Sequence, residues 1–184
     1  MAAVFSLTAR PIDGPGRDRG IVFQQYALFP WRTALQNIEF GLEGAGLERK
    51  QRRDRARYHL GLVGLLAFAD RYPHELSGGM KQRVAIARSL AYDPQVLLMD
   101  EPFAALDAQT RETLQIELLR IWRNTGKTIV FITHGIDEAI VLGQRVAVMT
   151  ARPGRIKHVF DISRRAPQRD RRCALPPSIR ADAT

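Results

Sequence analysis

Cysteine and long apolar runs are both scarce in this sequence. Its 184 residues include one cysteine, Cys173, which cannot form a disulfide within the chain, so a reducing compartment is expected. The longest apolar stretch, Leu60 to Ala69, is far shorter than the ~18–20 residues that a membrane-spanning helix needs. No basic segment followed by an apolar core opens the chain. The sequence therefore predicts a cytoplasmic domain rather than a membrane-spanning or secreted one.

Acidic residues are fewer than basic ones, and the imbalance is concentrated at one end. The chain has 28 Lys and Arg against 19 Asp and Glu, a net charge of +9, of which residues 152–184 carry +6. Residues 161–184 show no periodicity and have little to bury, which predicts a basic, disordered tail. Such a tail can touch nucleic acid or anionic lipid, but a solvated tail is the simpler interpretation. We expect no nucleic-acid partner, because no aromatic stacking residues accompany these cations.

Apolar patterns along the rest of the chain alternate between strand and helix. Short β-branched runs predict buried strands at 21–23, 96–99, 128–133 and 145–149. Helical spacing is found at 47–66, 78–91, 108–124 and 136–142. This alternation predicts an α/β fold with a mostly parallel sheet. Residues 34–75 contain helical patterns alone, which predicts a helical subdomain inserted into the α/β core.

Two adjacent carboxylates, Asp100 and Glu101, follow the apolar strand at 96–99. Open parallel sheets bind ligands at the carboxyl ends of their strands. There, one carboxylate can hold Mg²⁺ through its water shell while the next orients or deprotonates an attacking water. Taken alone, the pair is equally typical of a solvated strand end.

A serine and two glycines begin the helix predicted at 78–91. Ser77 suits the N-cap position, and Gly78 and Gly79 leave backbone N–H groups unobstructed at the positive end of the helix dipole. That arrangement can bind phosphate. The same three residues alone are also typical of an ordinary capped helix.

Together these segments resemble the ATP-binding subunit of ABC transporters. The resemblance rests on L-S-G-G-M-K-Q-R at 76–83, V-L-L-M-D-E-P at 96–102 and F-A-A-L-D at 103–107. It extends to I-V-F-Q-Q-Y-A-L-F-P-W at 21–31, similar to the glutamine loop, and to I-T-H at 132–134, similar to the switch histidine loop. It implies a P-loop NTPase-like ABC nucleotide-binding domain with an inserted helical subdomain.

The resemblance also implies a division of the chain. Residues 1–33 would be a remnant of the core sheet with the glutamine loop, and residues 34–80 the helical subdomain with the signature motif. Residues 81–160 would form the α/β core with Walker B, the D-loop and the switch histidine, followed by the tail at 161–184.

Four residues receive catalytic or magnesium-binding roles from this resemblance. Asp100 would be the Walker B carboxylate that holds Mg²⁺ through water, and Glu101 the general base. Gln24 would contact Mg²⁺ or the attacking water. His134 would reach the γ-phosphate of ATP. The implied cofactors are therefore ATP and Mg²⁺.

Another four residues would face a second ATP-binding subunit. Ser77, Gly78 and Gly79 would bind the γ-phosphate of a nucleotide held by the opposite subunit. Asp107 would bridge to that subunit, although an aspartate at this position is also a plausible helix N-cap. A site of this kind is completed only by a dimer.

One element of the family pattern is missing. The Walker A loop, G-x-x-x-x-G-K-[ST], does not occur, and the Gly-Lys-Thr triplet at Gly126 is better explained as a helix C-cap. We therefore expect the chain to lack the family's amino-terminal strands and Walker A helix. The resemblance pairs the Walker B strand with the strand that leads into Walker A, so we also expect an exposed strand edge and a marginal or aggregation-prone chain.

Shorter stretches indicate the branch of the family. L-F-P-W-R-T-A, D-E-P-F-A-A-L-D and A-R-P-G-R-I resemble importers of nitrate, sulfonates or taurine. The implied partners are membrane permease subunits and, indirectly, a substrate-binding protein, with the chain peripheral on the inner face of the cell membrane. A groove beside Gln24 would receive the permease, lined by Tyr26, Leu28, Phe29 and Trp31, unless these are subdomain core. The alternative function is a truncated, non-hydrolytic subunit or gene remnant that lends its signature motif to a full-length partner.

Overall fold

A computed structural model describes residues 6–7, 10–11 and 14–162 of the chain. The contacts divide the chain into two compact units, Met1–His134 and Gly135–Thr184. The tail was predicted at 161–184, but Asp161 is the last residue of a strand. The rest of the predicted tail beyond Ile162, including Cys173, lies outside the described residues. No helix in the described ranges has the length and apolar character required to cross a bilayer.

A three-stranded parallel sheet organises the first unit. The chain first forms a small antiparallel pair, β1 (Ser6–Leu7) with β2 (Arg10–Pro11). The parallel sheet then consists of β3 (Arg19–Val22), β4 (Val96–Asp100) and β5 (Thr128–Ile132), in the order β3-β4-β5. The predicted α/β fold with a parallel sheet is confirmed.

The expected loss of a neighbour by the Walker B strand is wrong. That strand is β4, which pairs with β3 on one side, Val22 opposite Met99, and with β5 on the other, Asp100 opposite Ile132. Both of its hydrogen-bonding edges are therefore used. Within the described ranges, the edge without a partner strand belongs to β5.

Four α-helices complete the described part of the first unit. They are α1 (Ala34–Gly41), α2 (Arg49–Leu62), α3 (Gly78–Ala91) and α4 (Ala108–Thr125). Between β3 and α3 the structure has α1, α2 and short 3-10 turns but no strand, which confirms the predicted helical insertion. Helix α2 ends earlier than the predicted limit of residue 66, because Gly64 adopts a left-handed φ of 70° just beyond it.

The helical insertion shares a core with α3 and has internal hydrogen bonds. Ile38 of α1, Leu60 of α2 and Val84 of α3 are each 0% exposed. Asn37, also fully buried, accepts a hydrogen bond from the Phe29 amide and donates its side-chain amide to main-chain carbonyls, including that of Phe29 at 3.2 Å. This amide satisfies its polar groups internally, so it can be buried without an unpaired donor.

The two faces of the parallel sheet differ. Val22, Leu97 and Met99 lie on the face that is buried. There the lack of a side chain at Gly20 matters, because a Cβ would lie 2.8 Å from the Leu97 side chain and 3.2 Å from the Ser89 carbonyl of α3. The other face is open, and Val130 of β5 is 46% exposed.

The prediction that all four apolar runs form buried strands is therefore wrong for two of them. Strand β5 has no buried residue, and neither does β6 (Arg145–Met149). Both strands have apolar, β-branched residues typical of buried strands. Among the described residues, however, β5 pairs with a neighbouring strand on one edge only.

The second unit is small. In its described part, α5 (Ile136–Leu142) is followed by β6, which pairs antiparallel with β7 (Ile156–Asp161) in a two-stranded sheet. The sequence patterns predicted β6 but not β7. Strand β7 contains Lys157 and His158 between apolar residues, and this mixture weakens the strand signal.

Candidate active site at the strand ends

The carboxyl ends of β3, β4 and β5 lie side by side. Because Val22 pairs with Met99 and Asp100 pairs with Ile132, the segments that follow the three strands leave the same edge of the sheet. These segments begin with Phe23-Gln24, Glu101 and Thr133-His134. The register therefore places Gln24, Asp100, Glu101 and His134, the four residues predicted to act on nucleotide and magnesium, at the same edge of the sheet.

Glu101 and His134 are in direct contact. The Nε2 atom of His134 lies 2.7 Å from the Oε1 atom of Glu101, close enough for a hydrogen bond from the imidazole to the carboxylate. The histidine side chain is 88% exposed, whereas the glutamate side chain is 26% exposed. The pair therefore has one anchored carboxylate and one imidazole open to solvent and ligand.

The main chain holds Glu101 in an unusual conformation. Its φ of 43° lies in the left-handed region, which costs a non-glycine residue about 1–3 kcal/mol. Its amide donates a hydrogen bond to the Ile132 carbonyl at the end of β5, at 3.0 Å. The neighbouring strand thus fixes the turn that directs this side chain toward His134.

Asp100 and Gln24 offer oxygen atoms at the same edge. Both side chains are exposed, and carboxylate and amide oxygens are the ligand types that Mg²⁺ accepts while keeping several waters. No group of three or more His, Cys, Asp or Glu with metal-binding geometry occurs in the part of the chain that the structure describes. Oxygen ligands of this kind can hold a hydrated magnesium ion.

Helix α3 holds the segment that carries Gln24. Tyr26 and Ala27 both have positive φ, 39° and 47°, and the Arg88 guanidinium donates to both of their carbonyls, at 3.2 and 2.7 Å. Burial lowers the pKa of the Arg88 guanidinium. The sequence patterns did not single out Arg88, because a cation on a helix gives no local signal of a contact 62 residues away.

A second group of predicted residues lies at the starts of α3 and α4. Ser77 caps α3 by accepting a hydrogen bond from the Met80 amide at 3.3 Å, as predicted. A Cβ at Gly79 would lie 2.6 Å from the Thr110 side chain of α4, so this glycine permits close helix packing. At Gly78 a Cβ would lie 3.1 Å from the Tyr26 hydroxyl.

Asp107 caps α4, as the alternative interpretation of this residue predicted. Its carboxylate accepts a hydrogen bond from the Thr110 amide at 2.9 Å, and that bond lowers the pKa of the exposed Asp107 carboxyl. Gly126 ends the same helix with a left-handed φ of 62°, which confirms the prediction that the Gly-Lys-Thr triplet contains a C-cap.

The ABC transporter family model matches residues 6–104, just over half of the chain. The chain belongs to the ABC transporter family. The match includes the glutamine loop, the signature motif and the Walker B strand, and it ends before Asp107 and His134. Outside the matched range, Asp107 is placed by its role as the N-cap of α4. His134 is placed by the pairing of β5 with β4.

Relatives agree with this assignment. The chain is 58% identical to an uncharacterized ABC transporter ATP-binding protein of Methanocaldococcus jannaschii, over 90% of this chain and 61% of the relative. It is 52% identical to a nitrate import ATP-binding protein of Synechocystis sp., over 88% of this chain and 61% of the relative. It is also 52% identical to a taurine import ATP-binding protein of Rhizobium johnstonii, over 85% and 60%. The chain thus spans about three-fifths of the length of these relatives.

Proposed function

We propose that this chain is the ATP-binding and ATP-hydrolysing subunit of an importer for nitrate, sulfonates or taurine, and that it couples hydrolysis to transport. The observation that carries the proposal is the Glu101–His134 contact of 2.7 Å at the shared edge of three parallel strands. The relatives named for nitrate and taurine import support the choice of branch.

In this proposal Glu101 is the general base. Its carboxylate accepts a proton from the water that attacks the γ-phosphate, and the hydrogen bond to His134 holds the imidazole beside the reacting phosphate. Asp100, through water, and Gln24 would hold Mg²⁺, which supplies charge neutralisation at the phosphates when it is bound with ATP. The β4–β5 register places the segments that carry Glu101 and His134 next to each other.

The second group of residues serves a neighbouring ATP-binding subunit. Ser77, Gly78 and Gly79, at the start of the 14-residue helix α3, bind the γ-phosphate of a nucleotide held by that subunit. Asp107 bridges to the same subunit while it caps α4. This assignment makes the active form a dimer.

Permease subunits are the proposed membrane partners, and a substrate-binding protein takes part indirectly. The surface near Gln24 includes Trp31, which is 70% exposed, and Phe29, whose ring lies 5.5 Å from that of Trp31. In this proposal these two rings, with the half-buried Tyr26 and Leu28 of the same segment, receive a helix from the permease. The chain would then be peripheral on the inner face of the cell membrane.

A second candidate function follows from the phosphate loop. The 184 residues contain no G-x-x-x-x-G-K-[ST] segment, so these residues alone have no Walker A cradle for the β- and γ-phosphates. In this alternative the chain is a truncated, non-hydrolytic subunit that lends its signature motif to a partner. Hydrolysis in the first proposal requires a Walker A loop from outside these residues.

The catalytic role of Glu101 can be tested in a chimera that places a relative's Walker A segment before this chain. We expect Glu101→Gln to reduce ATP turnover by about 10²–10⁴-fold, because the base is lost while the shape is kept. Nucleotide affinity should be retained. The matched control is Glu112→Gln, which changes an exposed glutamate on α4 and should leave turnover unchanged. Normal turnover in Glu101→Gln would remove this residue from the base role.

A further inference from the structure

Arg88 on α3 makes two contacts with the main chain that follows Gln24. Its Nη1 atom donates to the Ala27 carbonyl at 2.7 Å, and its Nη2 atom donates to the Tyr26 carbonyl at 3.2 Å. A planar guanidinium can reach two neighbouring acceptors at once, and hydrogen bonds from a charged donor are stronger than those between neutral groups. We call this pair of hydrogen bonds, from Arg88 to two consecutive carbonyls, the Arg88 clamp.

The two residues that the clamp holds have an unfavourable main-chain conformation. Tyr26 has a φ of 39° and Ala27 a φ of 47°, both in the left-handed region. Residues other than glycine are strained in that region, and they stay there only where surrounding contacts hold them. Because the two carbonyls that Arg88 contacts belong to these same residues, the clamp acts on the strained turn itself.

A second contact from α3 holds the chain before Gln24. The buried Ser89, next to Arg88, donates its hydroxyl to the Ile21 carbonyl of β3 at 2.9 Å. Two adjacent residues of one helix therefore hold the main chain on both sides of Gln24. The Gln24 side chain itself is exposed, so it stays available to a ligand.

Arg88 has no carboxylate partner in the ranges that the structure describes. None of the ion pairs there includes it, although its side chain is half-buried. Removing a cation from water costs free energy, which an ion pair or hydrogen bonds must offset. The hydrogen bonds of this guanidinium go to the segment after Gln24 rather than to an acidic side chain.

We propose that Arg88 is a positioning residue for ATP hydrolysis, and that the Arg88 clamp sets where Gln24 lies at the edge of the sheet. This inference rests on the proposed function, which places Gln24 at Mg²⁺. Arg88 acts through the main chain of Tyr26 and Ala27 and contacts no reacting group itself. Its position matters because a displacement of about 1 Å in a group that orients a reaction can lower the rate about a hundredfold.

The first test measures amide hydrogen exchange by mass spectrometry in the full 184-residue chain, without nucleotide. Arg88→Met removes both donors and keeps a side chain of similar length. The matched control, Arg120→Met, removes an arginine of α4 that donates to a different main-chain carbonyl, that of Leu62, at 2.9 Å. Exchange in residues 22–29 reports on the clamp, and exchange in residues 56–62 reports on the control.

We expect Arg88→Met to speed exchange in residues 22–29 by at least about tenfold, because two hydrogen bonds from a charged donor are lost. Exchange in residues 22–29 should be unchanged in Arg120→Met. If Arg88→Met does not fold, Arg88→Lys replaces it; this variant keeps the charge but loses the fork, and should speed exchange about threefold. Unchanged exchange in residues 22–29, or an equal increase in every segment, would overturn the proposal.

The second test is a double-mutant cycle in the chimera that carries a relative's Walker A segment. Arg88→Met should lower kcat by at least about tenfold and change nucleotide affinity by less than about threefold. Added to Gln24→Ala, it should lower kcat no further, because Arg88 acts only through Gln24. Equal losses of kcat in both backgrounds would overturn the proposal and give Arg88 a general structural role.

The two tests separate this inference from the proposed function. An unmodified chimera without turnover would count against the proposed function, whereas the exchange measurement involves no ATP and keeps its meaning. A chimera that hydrolyses ATP but loses the same factor in both backgrounds of the cycle would count against the role of Arg88 alone.

Discussion

The helical insertion buries its apolar side chains, whereas strand β5 leaves apolar side chains exposed. Ile38 and Leu60 in the insertion are 0% exposed, although this region is short and contains the highly charged helix α2. Val130 and Ile132 of β5 are 46% and 52% exposed, although the strand is apolar and β-branched. Charge content therefore does not predict which of the two regions has the better-packed core.

The difference shows which parts of the chain complete their own packing. Helices α1, α2 and α3 bury one another and leave their charged faces to solvent. A parallel strand, in contrast, needs a neighbour on each edge and a layer on each face. Strand β5 has β4 on one edge, and its other edge has no partner strand in the described ranges. Packing against a further element would bury the exposed residues of β5.

The largest expected contrast is between two truncations to alanine. Leu60→Ala removes a fully buried side chain and should lower the free energy of unfolding by about 2–5 kcal/mol. Val130→Ala removes an exposed one and should cost about 0.5 kcal/mol or less. Urea titrations followed by circular dichroism give both values. Equal costs would mean that β5 is packed as tightly as the insertion.

A smaller effect is expected at the buried amide of α1. Asn37→Ala leaves the Phe29 amide without its acceptor and should lower the free energy of unfolding by about 1–3 kcal/mol. Asn124→Ala, at an exposed position of α4, serves as the control and should change little. If Asn37→Ala were as mild as the control, the hydrogen bonds of Asn37 would not stabilise the insertion.

The third prediction concerns pH. Burial, followed by the charge of Arg55, lowers the pKa of His59 from 6.5 to about 4, so the folded chain holds this imidazole neutral. Between those two values the unfolded chain binds the extra proton, and stability should fall as pH falls from 6.5 toward 4. Burial raises the pKa of Glu117, which acts in the opposite direction.

Comparison of variants isolates the histidine. The change in urea midpoint between pH 7 and pH 5 should be smaller in His59→Leu than in the unmodified chain, and unchanged in His158→Leu, which alters an exposed histidine of β7. An identical pH dependence in all three proteins would show that His59 does not carry this effect.

The sequence predicted the order and type of most elements because their patterns are local. The Ser77 and Asp107 caps, the Gly126 C-cap and the helix-only insertion all depend on residues a few positions apart. The position of β4 between two strands was missed, because strand order depends on pairing between distant segments. The exposure of β5 was missed for a related reason, since an apolar strand has the same pattern whether or not a neighbour covers it.

The site shows the same division between local and distant information. The motif residues Gln24, Asp100, Glu101 and His134 were identified from short segments. Glu101 has a left-handed main-chain conformation, and its carboxylate contacts His134. Both features depend on the β4–β5 register, so neither segment alone predicts them. Arg88, which fixes the loop after Gln24, was missed because its contacts are more than 60 residues away.

The most direct test of the proposed site is a titration of Mg-ATP into two proteins, the 184-residue chain and the chimera that adds a relative's Walker A segment. We predict no detectable binding by the chain alone, and micromolar binding with turnover by the chimera that depends on Glu101. Micromolar binding by the chain alone would contradict this interpretation, because it would require a phosphate site that does not use Walker A.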